Sequence, residues 1–127
     1  GGRLRIDMKT GDVTVSGLFN SRIRELTSIT TGGDQTIEFG GGELVQDIRG
    51  NIETSTGNVT LRIPNNIGVR VTFTGASGRV MEVSPEFIEV SRNVYETAQY
   101  ADGEGPRVQI AVRTTAGDLR LIAVPPL

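Results

Sequence analysis

The sequence predicts an all-β chain: a single domain, 1–127, of stacked short strands in a β-helix-like solenoid. Three observations carry this. A short phrase is stated three times, as Thr10-Gly11-Asp12-Val13-Thr14-Val15, Thr56-Gly57-Asn58-Val59-Thr60-Leu61 and Ala116-Gly117-Asp118-Leu119-Arg120-Leu121. Each copy joins a Gly-Asx pair, suited to a tight turn, to an alternation of apolar and polar residues, suited to a half-buried strand. That alternation recurs along most of the chain. Finally, 17 glycines among 127 residues, about twice the usual share, with only 5% aromatics and no Trp, imply many turns and a core of Val, Ile and Leu.

The strands follow in order. Leu4, Ile6 and Met8 alternate with polar residues, as do Val13 with Val15, and Val59, Leu61 and Ile63. Val69, Val71 and Phe73, then Val108, Ile110 and Val112, then Leu119, Leu121 and Ala123 repeat the pattern with Arg62, Arg70, Thr72, Gln109 and Arg120 between them. A period of two marks strands with one face in water. Between the runs lie Gly32-Gly33-Asp34, Gly40-Gly41-Gly42, Pro64-Asn65-Asn66 and Gly75-Ala76-Ser77-Gly78, all residue types that turn the chain. Ten or more strands of about five residues are expected. Helical periodicity is nowhere sustained.

From Gly11 to Gly57 to Gly117 the phrases are 46 and 60 residues apart, not the constant period of a perfect solenoid. Stacked coils with insertions at their corners accommodate this. The alternative, an antiparallel β-sandwich, would need more two-residue hairpin signals than the single pair Asp102-Gly103. The segment 84–106, with Pro85, Phe87, Tyr95 and Tyr100, departs from the pattern. It is expected to be an irregular excursion packing its rings over an open end of the stack.

The run Gly57-Asn58-Val59-Thr60-Leu61-Arg62-Ile63-Pro64, then Ile67-Gly68-Val69-Arg70-Val71, Gly75-Ala76-Ser77-Gly78-Arg79-Val80 and Val108-Gln109-Ile110-Ala111-Val112, ending in Ala116-Gly117-Asp118-Leu119-Arg120-Leu121, resembles bacterial toastrack-type domains. These include the putative-adhesin domains of unknown function and the C-terminal domain of LiaF-like cell-envelope stress proteins. The resemblance covers 50–124, with Leu4 to Val15 as an earlier coil of the same kind; Asn20 to Asp47 fits less clearly. It implies a β-helix-like stack outside the cytoplasmic membrane, often joined to a membrane segment, and it brings no catalytic residues.

Composition narrows the chemistry. Cysteine and histidine are both absent, which removes disulfides, thiolate catalysis, the usual general base and the commonest metal ligand. A net charge of −2, with its 13 basic residues dispersed, offers no phosphate-binding face, so nucleic acid is not an expected partner. No run approaches the roughly 20 apolar residues of a membrane helix. The start at Gly1-Gly2 suggests a processed piece, with any anchor outside this chain.

Candidate sites were weighed against structural roles. Asp12, Asp118 and Asp34 follow Gly at turns and could gather as calcium ligands. Asn58 interrupts the carboxylate series and the Gly-Gly-x-Gly-x-Asp motif is not matched, so Gly11, Asp12, Gly57, Asn58, Gly117 and Asp118 are assigned to structural turns, with no metal and no cofactor. Gly40-Gly41-Gly42 precedes the acidic, strand-like Glu43-Leu44-Val45 instead of a phosphate-binding helix. The carboxylate pairs Glu86 with Glu89 and Glu96 with Asp102 raise a polysaccharide-acting β-helix enzyme, with Glu96 and Arg92 as its groups. The preferred reading is a non-enzymatic, extracytoplasmic envelope module serving as adhesin, scaffold or stress sensor. Its contacts with an envelope protein, peptide or glycan are assigned to Phe87, Arg92, Tyr95 and Tyr100, the one aromatic-rich neighbourhood. Terminal strands pairing between copies would make homo-oligomers, a third reading.

Overall fold

A computed structural model describes residues 2–16, 23–40, 46–75, 79–103 and 105–125. Its strands are β1 (Gly2–Thr10), β2 (Val13–Val15), β3 (Ile23–Gly32), β4 (Gln35–Glu38), β5 (Ile48–Thr54), β6 (Val59–Pro64), β7 (Gly68–Gly75), β8 (Val80–Val83), β9 (Ile88–Ser91), β10 (Val94–Glu96), β11 (Arg107–Thr114) and β12 (Leu119–Val124). One short helix, α1 (Ala98–Asp102), interrupts them. The chain is all-β in a single domain, as the alternation predicts.

The strands form two sheets, ordered β1-β3-β5-β11-β7-β10-β9 and β2-β4-β6-β12-β8. Every pairing between successive coils is parallel, and among the described residues only the pairings of β10 are antiparallel. Each coil gives one strand to each sheet, and the inward residues of both sheets make the core. Leu26, Ile37, Ile52, Leu61, Ile63, Val71, Leu119 and Leu121 are almost wholly buried there. Parallel sheets usually have helices on both faces. Here the second sheet covers one face and the other stays in water, which is why parallel strands keep the alternation of a half-solvated sheet. The sandwich alternative is thereby set aside.

The coils do not stack in sequence order. The last coil, β11 with β12, lies between the coil of β5 and β6 and the coil of β7 and β8. β11 pairs in register with β5 on one side and β7 on the other, from Val108 against Ile48 and Val69 to Thr114 against Thr54 and Gly75. β12 likewise lies between β6 and β8, in register with β6 and with an irregularity against β8 at Leu119–Arg120. The uneven spacing of the turn phrases follows directly: Asn58 and Asp118 are neighbours in the stack although 60 residues apart in the chain.

The segment between β8 and β11 closes the far end. β9 and β10 form an antiparallel hairpin on β7, turning at Asn93, whose φ of 61° lies in the left-handed region that Asn tolerates. Thr97, buried just before α1, ties it to the start of β7, its hydroxyl accepting from the Val69 N–H and donating to the carbonyl of Ile67, which precedes the strand. Asp102-Gly103 ends α1, with Gly103 at φ 72°, and is not a hairpin turn. The outermost strand β9 leaves Ile88 and Val90 more than half exposed.

The region Asn20 to Asp47, the poorest fit to the repeat, supplies a full coil in β3 and β4. Its inward row reads Leu26, Ser28, Thr30, so the hydropathy pattern hides it. The polar members are satisfied by the fully buried Gln35: Ser28 Oγ donates to its Oε1, and its Nε2 donates to Thr30 Oγ1 at 3.2 Å and the Glu53 carbonyl at 2.9 Å. The strand-like reading of Glu43-Leu44-Val45 lies outside the described residues.

Candidate functional site

Two places gather the residues singled out by sequence: one corner of the stack and the cap at its far end. At the corner, the turn phrases align into a ladder. The Asp34 N–H donates to Asp12 Oδ1 at 3.0 Å, the Asn58 N–H to Asp34 Oδ1 at 2.9 Å, the Asp118 N–H to Asn58 Oδ1 at 2.9 Å and the Arg79 N–H to Asp118 Oδ1 at 3.1 Å. Backbone bonds answer in the opposite sense, from the N–H of Val13, Gln35, Val59 and Leu119 to the carbonyls of Asp34, Asn58, Asp118 and Arg79. Each Asx side chain therefore caps the next coil's turn, a hydrogen-bonding role that needs an oxygen but no charge. Asp34 is a full member, in a fourth copy of the phrase.

At Gly33, Gly57 and Gly117 glycine precedes the Asx because the backbones of adjacent turns touch, whereas Gly11 takes a φ of 109° that favours glycine. A Cβ on Gly117 would sit 1.7 Å from the Gly57 carbonyl oxygen, and one on Gly33 would sit 2.1 Å from that of Gly11. Inside the same corner the buried Thr30, Thr54 and Thr114 stand in register. Thr54 Oγ1 accepts from the Gly57 N–H at 3.0 Å, and Thr114 Oγ1 donates to the Gly117 carbonyl at 2.7 Å. The carboxylates face the backbone instead of converging on a cavity, and among the described residues no three acidic side chains are placed to hold a metal ion.

The ladder explains why its third position is Asn. Asn58 separates Asp34 from Asp118 at parallel-strand spacing, about 4.8 Å per step. Asn58→Asp keeps the acceptor oxygen and places a third charge between two others. We expect a loss of about 1 kcal/mol at neutral pH and low salt, read as a lower urea midpoint and shrinking at high salt.

At the far end, Phe87 is 6% exposed and belongs to the core, held where its N–H donates to the Ser84 carbonyl. Tyr95, on β10, is half-buried against the core, opposite Val71 and Glu89. Its burial, together with the charge and hydrogen bond of Glu89, raises the phenol above its usual 10.0. Tyr100, on α1, is half-buried with the Arg107 guanidinium 4.9 Å over its ring, and its backbone lies where a side chain on Gly68 would be. Arg92 stands exposed at the hairpin turn. The structure does not bring the four into one cluster: Tyr100 lies against Gly68 at the start of β7, whereas Arg92 adjoins Asn93, whose carbonyl accepts from the Phe73 N–H toward that strand's other end, and Phe87 is in the core.

Of the acidic residues of the enzymatic alternative, Glu96 and Glu89 have partners, and the Asp102 side chain lies outside the described residues. Glu96 pairs with Arg70 at 3.5 Å, not with Arg92, and Glu89 Oε2 accepts from the Asn93 N–H at 3.1 Å, fixing the hairpin turn. Glu86 is exposed before β9. Among the described residues no helix is long and apolar enough to cross a membrane.

No protein-family model and no curated protein matches the chain. Among solved structures, a putative cell adhesion protein from Clostridium sporogenes is similar, with a TM-score of 0.86 at 20% identity, over 96% of this chain and 55% of that one. The chain thus spans about half the length of that protein and shares the fold of the matched part.

Proposed function

We propose that this chain is a non-enzymatic, adhesin-like binding module displayed outside the cytoplasmic membrane of a bacterial cell, of the toastrack type its turn-strand phrases resemble. The observation that carries the reading is its likeness in fold to the clostridial cell adhesion candidate. The architecture suits the role: its Asx carboxylates are engaged in hydrogen bonds between coils, and both sheets turn a broad polar face to water. Within this reading, the cap meets an envelope protein, peptide or glycan, through Arg92 at the hairpin turn and the uncovered edges of Tyr95 and Tyr100 farther along the same cap, while Phe87 anchors the segment in the core.

The test is retention on surfaces. Fluorescently labelled domain should bind isolated bacterial cell walls or intact cells saturably, Arg92→Glu should weaken that binding, and the same walls should release no new reducing ends. Absence of saturable binding to every surface tried, or release of sugar ends with purified domain, would overturn the proposal.

A further inference from the structure

The outer face of the larger sheet carries a trough of about 480 Å³ that none of the roles above uses. It lies over the middle strand β11 and is lined by Arg49 and Asn51 of β5, Gln109 and Ala111 of β11, and Arg70 and Thr72 of β7. Register explains the shape. Gln109 stands level with Arg49 on one side and Arg70 on the other, and the small Ala111 stands level with Asn51 and Thr72, so the floor dips between taller walls. The two arginines are thus two strand spacings apart, about 10 Å at their backbones.

The chemistry of the lining is one-sided. None of its residues is acidic, in a protein whose net charge is −2. Glu96 holds Arg70 from the side away from the trough, on β10, and leaves its side chain 46% exposed. Arg49 is exposed, and its register neighbour Glu25 is committed to Arg3 at 3.0 Å. Two guanidinium groups, two amides and a hydroxyl therefore line the trough, and the one acidic partner beside them, Glu96, lies outside its lining. Guanidinium forks favour planar, multi-oxygen anions.

Two further facts narrow the ligand. At the centre of a sheet the backbone hydrogen bonds of β5, β11 and β7 are consumed by the ladders, so an extended peptide cannot add as a strand there. No aromatic ring lines the trough, so a neutral sugar has no platform on which to stack. We infer that this trough binds an acidic polysaccharide, one acidic group seated between Arg49 and Arg70 over Gln109 and the sugar hydroxyls meeting Asn51 and Thr72. This rests on the reading of the chain as a binding module and gives it a second face, distinct from the cap.

The test titrates the 127-residue chain with oligogalacturonate (carboxylate), heparin oligosaccharide (sulfate), dextran oligosaccharide (neutral) and poly-glutamate, following binding calorimetrically at low and high salt. At least one acidic saccharide should bind, more weakly at high salt, and the two acidic arms tell carboxylate from sulfate. Arg49→Gln with Arg70→Gln should weaken it about tenfold or more. Ala111→Glu, which fills the floor and leaves both arginines in place, should do the same. Arg62→Gln with Arg120→Gln, an equal change of charge on the other sheet, should change it less than about twofold. All four arginines are exposed, so thermal melts should stay near the parent's. The inference is overturned if neither acidic saccharide binds, if the control pair costs as much as the trough pair, or if dextran or poly-glutamate binds as well. Because the probes are defined oligosaccharides, failure here leaves retention on cell surfaces standing, and loss of that retention leaves these titrations unaffected.

Discussion

Replacing Gly57 with alanine is expected to unfold the domain at moderate temperature. Gly57 is buried, and the missing methyl group would lie 1.7 Å from the Gly33 carbonyl oxygen and 2.4 Å from its carbon, with Thr54 Oγ1 at 3.1 Å. The clash is with backbone, so no rotamer change relieves it; the two turns must part. Parting them breaks the Asn58 to Asp34 side-chain bond and the Gln35 N–H to Asn58 carbonyl bond together. A cost of about 4 kcal/mol or more is expected, against a total stability of about 5–15 kcal/mol for domains in general. Gly50→Ala is the matched control, since its methyl would meet Ile110 at 3.6 Å, an ordinary contact. It should shift the urea midpoint by less than about 1 kcal/mol. Equal tolerance of both alanines would refute the close packing of the corner.

The second large effect concerns the coil order. In a solenoid stacked in sequence order, removing the last coil shortens the rod and exposes one new end. Here, ending the chain at Pro106 removes β11 and β12 from the middle. β5 and β6 on one side, β7 and β8 on the other, then lose their neighbours at once. The deleted coil carries Val108, Ile110, Val112, Leu119 and Leu121, all buried. At about 1.5–3 kcal/mol for each buried side chain, their loss matches the stability of a whole domain. The truncated chain should show no cooperative thermal transition by circular dichroism. Removal of 1–16 should be far milder, because that end coil contributes only Val13 to the buried core, and a cooperative, lower-melting transition should remain. A C-terminal truncation that still melts cooperatively would contradict the interleaved order.

Much of this architecture was legible in the sequence, for physical reasons. The Gly-Asx phrases at Gly11, Gly57 and Gly117 mark a true corner, since glycine is demanded by touching backbones at Gly57 and Gly117 and by a φ of 109° at Gly11, and Asx by the turn N–H groups. Alternation located the strands wherever inward residues are aliphatic. It failed at β3, where Ser28 and Thr30 point inward and are made tolerable by Gln35, a partner on another strand that hydropathy does not register. The coil order was not legible because it depends on which strands meet 60 residues apart, and local pattern is the same whichever neighbour is chosen. The irregular 84–106 segment stood out by composition, but the conversion of its middle into a hairpin and one helical turn rests on Asn93 and Thr97 making long-range bonds to β7. The arginine trough escaped notice for a similar reason. Arg49 and Arg70 sit on different coils and come together only across the intercalated β11.

That intercalation is the claim on which the core, the corner ladder and the trough all depend. It is tested most directly by disulfide trapping, made clean by the absence of native cysteine. Asn51, Ala111 and Thr72 stand level on β5, β11 and β7. Cysteines on adjacent strands fall within the roughly 4.4–6.8 Å between Cα atoms that a disulfide spans, and those two strands apart do not. On mild oxidation the pairs Asn51→Cys with Ala111→Cys and Ala111→Cys with Thr72→Cys should cross-link, and Asn51→Cys with Thr72→Cys should stay reduced. Efficient cross-linking of that last pair, with the two pairs through position 111 remaining free, would place β5 beside β7 and contradict the structure's coil order.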